Sequence, residues 1–324
     1  MLELDRIRKS LTAHREILAQ NIPSKIDFHK DISKELGMNF FIKREDVLGK
    51  YGGNKVRKLE FLYPTIDKKN VFMFGPTGSH HLVANLIYGK DRFDFISVIF
   101  PTYLYKMRNS YVLEKTEIVK MYSKKVIFTQ SMPLAFALTY VLSKIKNGFF
   151  IPPGSSSPRT SLGFVLSAIE IYESITKNEI PEPDFIFLPA GTGGTIAGLL
   201  AGLNIVGLKS QIIGVQVVET CREFIVKKFC NLVLKELKKI VNDLNTNTNH
   251  TKANLKIIRG FIGKGYGYPT EDGIKAKEFF ERFGIKSELT YTAKTLSAIL
   301  HMKEKFREKN VLFYYTLNTL NTKM

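Results

Sequence analysis

Asp184-Phe185-Ile186-Phe187-Leu188-Pro189-Ala190-Gly191-Thr192-Gly193-Gly194-Thr195-Ile196-Ala197-Gly198-Leu199-Leu200 reads as strand, turn and helix. The apolar run at its start has strand length, and the run from Ile196 has helical spacing. Between them lies a glycine-rich turn at a helix N-terminus. Backbone N–H groups without intrahelical acceptors and the positive end of the helix dipole converge there, which is the chemistry of an anion cradle. Thr192 and Thr195 add two hydroxyl donors. The turn is not a P-loop, which ends in Gly-Lys-Ser/Thr. It also departs from the dinucleotide fingerprint, because Ile196 stands where the last glycine belongs.

Outward from this unit the same alternation continues. Apolar strand-like runs fall at 40–43, 71–74, 95–100, 126–128, 149–151, 185–188, 212–217 and 311–315. Helical patterns fall between them at 55–63, 82–88, 132–146, 162–174, 195–203, 219–242 and 270–283. Such alternation predicts an α/β protein, with parallel sheets covered by helices on both faces. The stretch 245–254 interleaves Thr and Asn and reads as a polar surface loop. The sequon Asn249-His250-Thr251 within it carries little meaning in a cytoplasmic protein.

Composition narrows the class. A chain of 324 residues with 44% hydrophobic and 24% charged residues is an ordinary globular protein of one large or two average domains. Its two cysteines, Cys221 and Cys230, have no metal-like spacing, and they fit a reducing compartment rather than a disulfide scaffold. No apolar run reaches the roughly 18 residues that span a membrane. The first residues are unlike a signal peptide, so a cytoplasmic location is expected. The formal net charge of +18 comes from scattered lysines without a nucleic-acid motif or an aromatic stacking pattern. It therefore reads as a generally basic surface, with no specific nucleic-acid partner and no membrane partner.

Four further segments carry candidate chemistry. In Tyr51-Gly52-Gly53-Asn54-Lys55-Val56-Arg57-Lys58-Leu59-Glu60, Lys55 follows two glycines and Asn54 at a helix start, where a carbonyl compound can approach its amine closely. Lysines of lowered pKa form Schiff bases. The alternative is a basic surface helix capped by Asn54. In Phe74-Gly75-Pro76-Thr77-Gly78-Ser79-His80-His81-Leu82, Ser79 caps a helix whose first N–H groups, at His80 and His81, suit a substrate carboxylate. The alternative is a capped helix with two incidental histidines. Metal binding is not expected, because adjacent histidines diverge on a helix and no third ligand is evident. In Gly263-Lys264-Gly265-Tyr266-Gly267-Tyr268-Pro269, glycines fix a tyrosine that is able to stack on a flat ring, or simply pack in a turn. Leu289-Thr290-Tyr291-Thr292-Ala293-Lys294 is unremarkable by itself. A reactive lysine and a separate phosphate cup in one chain point to a phosphorylated aldehyde, pyridoxal 5'-phosphate (PLP).

These segments, in this order, resemble the PLP-dependent family of 1-aminocyclopropane-1-carboxylate (ACC) deaminase and D-cysteine desulfhydrase, from about Ile42 to about Phe313. The signature Gly-Gly-Asn-Lys-x-Arg-Lys-Leu-Glu is intact. The resemblance implies fold type II: two doubly wound, mainly parallel-sheet domains with PLP in the cleft between them. The large domain is expected at 1–62 plus 163–324 and the small one at 63–162, in a homodimer acting on a small amino acid. It assigns Lys55 as the PLP-linking and catalytic lysine, and Gly191, Thr192, Gly193, Gly194 and Thr195 as the phosphate loop. Asn54, His80, Tyr266 and Thr292 become cofactor contacts. Ser79, His80 and His81 take the substrate carboxylate, and Ser79 and Tyr291 join Lys55 as catalytic candidates.

Thr292 divides the subfamilies. ACC deaminases have Tyr-Glu at 291–292, whereas desulfhydrase-like members have Tyr-Thr, as here. A carboxylate beside the ring nitrogen favours the protonated ring and a strong electron sink. A threonine offers a neutral hydrogen bond. The expected activity is therefore desulfhydrase-like α,β-elimination, with ACC deaminase or a non-catalytic paralogue as alternatives. Three departures from the family pattern accompany this: His80 replaces an asparagine, Tyr315-Thr316-Leu317-Asn318 replaces a glycine-containing closing segment, and 242–254 is irregular.

Overall fold

A computed structural model describes residues 2–241 and 253–320. The stretch 245–252 of the expected polar loop, the sequon and the last four residues lie outside the described residues. The chain divides into two compact units, Met1–Phe61 with Pro158–Met324, and Leu62–Ser157. The boundary expected at 162/163 falls inside the helix Pro158–Thr176, which belongs to the first unit whole. A helix propagates as one cooperative segment, so its first turn follows the rest.

The first unit is built on a six-stranded sheet. Its strands are β1 (Ile26–Phe28), β2 (Asn39–Lys43), β7 (Phe185–Ala190), β8 (Gln211–Gln216), β9 (Asn254–Ile258) and β10 (Asn310–Tyr314), in the order β1-β2-β10-β7-β8-β9. β1 is antiparallel to β2, and all other neighbours are parallel. Register is fixed by buried residues: Phe40 lies opposite Val311, and Ile186 opposite both Leu312 and Ile212. The central strands are nearly all apolar, as sheets covered on both faces require. Helices Pro158–Thr176, Gly194–Val206 and Glu223–Ile240 contribute to a core that includes Phe164, Ile169, Leu199, Val233 and Leu237.

The second unit holds the four-stranded parallel sheet β5-β4-β3-β6, with β3 at Asn70–Pro76, β4 at Asp94–Phe100, β5 at Lys125–Phe128 and β6 at Phe149–Phe150. Helices His80–Gly89, Ser110–Tyr122 and Met132–Ile145 connect these strands. Phe74, Val98, Phe100 and Ala135 form one of its apolar clusters, and Phe150 packs beside them. Among the described residues no helix is long and apolar enough to cross a membrane. Cys221 and Cys230 are buried and unpaired with each other, and burial pushes their thiols up to about 11 and about 12.

Candidate active site

In parallel sheets, ligands gather beyond the carboxyl ends of the strands, where loops meet helix N-termini. β7 ends at Ala190, and residues 191–193 turn the chain into the helix Gly194–Val206. Gly193, the N-cap, has φ of 83°, in the left-handed region that favours glycine. It offers no side-chain oxygen to the first turn. The N–H groups of that turn have no intrahelical acceptor and face outward. A Cβ on Gly191 would meet only the Tyr291 ring, at 3.6 Å. This bare cradle of backbone N–H groups, flanked by Thr192 and Thr195, has the donor set for a phosphate and fits the tail of PLP.

Lys55 begins the helix Lys55–Leu62 beside this cradle. Its neighbour Asn54 donates from Nδ2 to Thr195 Oγ1 at 3.3 Å, tying the lysine turn to the cup. The turn itself is tight. Gly53 has φ of 79°, and a Cβ there would lie 3.1 Å from the Thr316 carbonyl oxygen. The Asn54 N–H reaches that same oxygen at 3.4 Å, and Asn318 Nδ2 donates to the Tyr51 carbonyl at 2.6 Å. Residues 316–318, which depart from the family's glycine-containing pattern, therefore pack directly against the lysine turn. Lys55 has no ion-pair partner among the described residues, and burial lowers its amine to about 8. An amine so placed is partly neutral near pH 7 and is nucleophilic.

The rest of the Lys55 signature does structural work that its charged residues hid in the sequence. Arg57 is fully buried. Its guanidinium meets both oxygens of Glu45, at 2.6 and 2.8 Å, and both oxygens of Glu170, each at 2.8 Å. Lys43 Nζ joins Glu170 at 2.7 Å, and Ser24 Oγ donates to Glu45 at 2.7 Å. Burial alone would neutralise these groups. The charges of Arg57 and Lys43 overcome it and hold Glu170 at about 2. Glu60 anchors the N-terminal segment through Arg15 at 3.0 Å and the N–H groups of Leu18 and Ala19 at 3.1 Å. Lys58 is also buried, and desolvation together with Lys55 places it well below the usual lysine range. Gly163 lets the helix Pro158–Thr176 approach this segment: a Cβ there would lie 2.3 Å from the Arg57 carbonyl oxygen.

Tyr266 and Tyr291 share a hydroxyl–hydroxyl hydrogen bond of 2.5 Å, with ring centroids 5.8 Å apart. Burial and this mutual contact raise Tyr266, and burial raises Tyr291. The Tyr266 loop is clamped from two sides. Its N–H donates to Glu219 at 3.0 Å, while Lys294 Nζ donates to the Ile262 carbonyl at 2.7 Å. Burial lowers Lys294 to about 8. Thr292 opens the helix Thr292–His301 and is buried. The Gly191–Tyr291 approach and the tyrosine pair thus link the cradle, Tyr266, Tyr291 and Thr292. Glu288, which the sequence reading passed over, receives the N–H groups of Thr290, Tyr291 and Thr292. An acid four residues before a threonine-rich helix start was the available signal.

In the second unit, Ser79 caps the helix His80–Gly89, accepting from the Leu82 N–H at 3.4 Å. His80 Nε2 bonds the Tyr111 hydroxyl at 2.5 Å. His81 is buried, with Nδ1 at 2.9 Å from Ser155 Oγ and 3.3 Å from Asn85 Nδ2. The two histidines diverge, one to Tyr111 and the other to Ser155.

Comparison with known proteins supplies the family. The family model described as pyridoxal-phosphate dependent enzyme matches residues 21–316. A Thermotoga maritima protein named as a candidate ACC deaminase is 28% identical over 307 residues, covering 91% of this chain and 93% of that protein. A Klebsiella pneumoniae D-cysteine desulfhydrase is 24% identical over 322 residues, covering 95% of each. A solved structure described as an ACC deaminase homologue superposes with a TM-score of 0.76 at 25% identity, over 96% of this chain and 94% of that one. The chain is thus an enzyme by its kinship, and it belongs to the pyridoxal-phosphate-dependent enzymes of fold type II, in the family of ACC deaminase and D-cysteine desulfhydrase.

Proposed function

We propose that the enzyme is a desulfhydrase-like lyase that breaks the Cβ–S bond of a small β-thiol amino acid and, with uptake of one water, gives a 2-oxo acid, ammonia and hydrogen sulfide. The observation that carries this reading is the Lys55 amine, brought to about 8 by burial and tied through Asn54 to the cradle of Gly191, Thr192, Gly193, Gly194 and Thr195. Bound PLP supplies the electron sink for a carbanion at Cα. Lys55 would hold the cofactor aldehyde, and its free amine would take the substrate Cα proton, a general-base contribution of about 10²–10⁴-fold. Asn54, His80, Tyr266 and Thr292 orient the cofactor. The Ser79, His80 and His81 turn receives the substrate carboxylate, and Ser79 and Tyr291 move protons near Cβ. A homodimer in the cytoplasm is part of the same reading.

A specific observation favours a second reading. Glu288 places a carboxylate directly behind Thr292. This narrows the chemical difference from ACC deaminases, and relatives carry both names. Release of pyruvate or 2-oxobutyrate from D-cysteine, L-cysteine, D-serine and ACC separates the two. Turnover of ACC alone would replace the first reading with the second. Turnover of none would remove both.

A further inference from the structure

Glu288 receives four hydrogen bonds from three consecutive residues. Its Oε2 accepts the Thr290 N–H at 2.7 Å. Its Oε1 accepts the N–H groups of Tyr291 at 2.9 Å and Thr292 at 2.8 Å, and the Thr292 hydroxyl at 3.1 Å. A carboxylate only accepts, so in this pair the threonine is the donor and its single hydroxyl proton is committed. What Thr292 Oγ1 presents elsewhere is lone pairs. An unprotonated pyridine nitrogen also presents a lone pair, and two acceptors cannot bond each other. A protonated ring nitrogen can donate to Thr292.

We infer that Glu288 is a positioning residue that acts through the Thr292 hydroxyl to keep the ring nitrogen of bound PLP protonated. The inference rests on the reading above, in which Thr292 faces that nitrogen. The proton comes from solvent, and no bond to carbon forms or breaks. A threonine at 292 then does not weaken the electron sink as its neutral side chain implies. The carboxylate stands one hydroxyl away instead of at the ring. The substrate class widens accordingly, from amino acids with a good β-leaving group to those whose Cα carbanion needs a full sink.

The test uses the full chain loaded with PLP isotopically labelled at the ring nitrogen, whose magnetic resonance reports protonation directly. In the unaltered protein the resonance is expected at the protonated position at neutral pH. Glu288→Gln and Thr292→Val should each move it to the unprotonated position, and Thr292→Ser should restore it. Thr292→Val keeps the three backbone bonds of Glu288, so it carries the test even if Glu288→Gln does not fold. An unprotonated nitrogen in the unaltered protein would overturn the inference. So would a Thr292→Val protein that binds cofactor and keeps the protonated signal. Failure of the site reading looks different: PLP would not bind, or would bind equally after Lys55→Ala, and both proposals would fall together.

Discussion

Replacing Arg57 with Met, a side chain of similar length without charge, should cost more stability than an ordinary core substitution. Arg57 is bonded to Glu45 and Glu170 and is buried to 1% exposure. Two carboxylates and two cations, with Lys43, make the cluster formally neutral. Removing Arg57 leaves two buried carboxylates facing one lysine. Breaking a buried pair in this way costs about 3–5 kcal/mol, against total stabilities of about 5–15 kcal/mol. At roughly 2–4 °C per kcal/mol for large domains, the midpoint of thermal unfolding should fall by at least about 6 °C. Differential scanning calorimetry of the full chain measures it. The pH dependence supplies a second readout. Burial alone would raise the Glu170 carboxyl, but Arg57 and Lys43 hold it well below the usual carboxylate range of about 4.5 in the folded state. A depressed carboxylate stabilises the fold above its unfolded pKa, and that stability is lost as pH falls from about 4.5 towards 2. Arg57→Met should flatten this acid limb. A midpoint within about 2 °C of the parent, with the acid limb intact, would refute the account of the cluster as a stabilising ion network.

Other outcomes are equally specific. Lys55→Ala should abolish both the absorbance of the lysine-bound cofactor and turnover, read by spectrophotometry and product release; residual turnover above about one part in 10² would exceed what loss of a general base permits. The apoprotein should capture added PLP faster as pH rises through about 8, because the neutral Lys55 amine is the nucleophile; stopped-flow absorbance gives the midpoint, and a midpoint near the ordinary lysine value would contradict the burial argument. Gly53→Ala forces a Cβ to 3.1 Å from the Thr316 oxygen at a positive φ, which should destabilise by about 1–3 kcal/mol and weaken PLP retention; urea unfolding with and without cofactor measures both.

How much of this was legible depends on what each residue's signal reported. β2, β7, β8 and β10 were readable because their buried, apolar runs exceed what a surface segment carries. β1 has three residues on an antiparallel edge, and β9 begins at Asn254 with exposed positions, so neither stands out from its flanks. The helix Thr292–His301 starts in a threonine-rich run that favours no helix by propensity. Its cap comes from Glu288, a residue outside the helix. Lys55 and its cradle were legible because backbone chemistry ties glycines to a position in the chain. The Arg57 cluster was not, because Glu45, Glu170 and Lys43 meet only after the sheet has formed. In sequence, each charge looks like a solvated one.

The pairing of β2 with β10 has a consequence for synthesis. Asn39 bonds Asn310, a partner 271 positions later. At translation rates of about 5–20 residues per second, β2 leaves the ribosome on the order of tens of seconds before the strand that completes its edge. All four strands of the smaller sheet are made meanwhile, since they lie within residues 62–157. The nascent larger unit must spend that interval with an open, apolar strand edge, the kind of surface that chaperones guard and aggregates recruit.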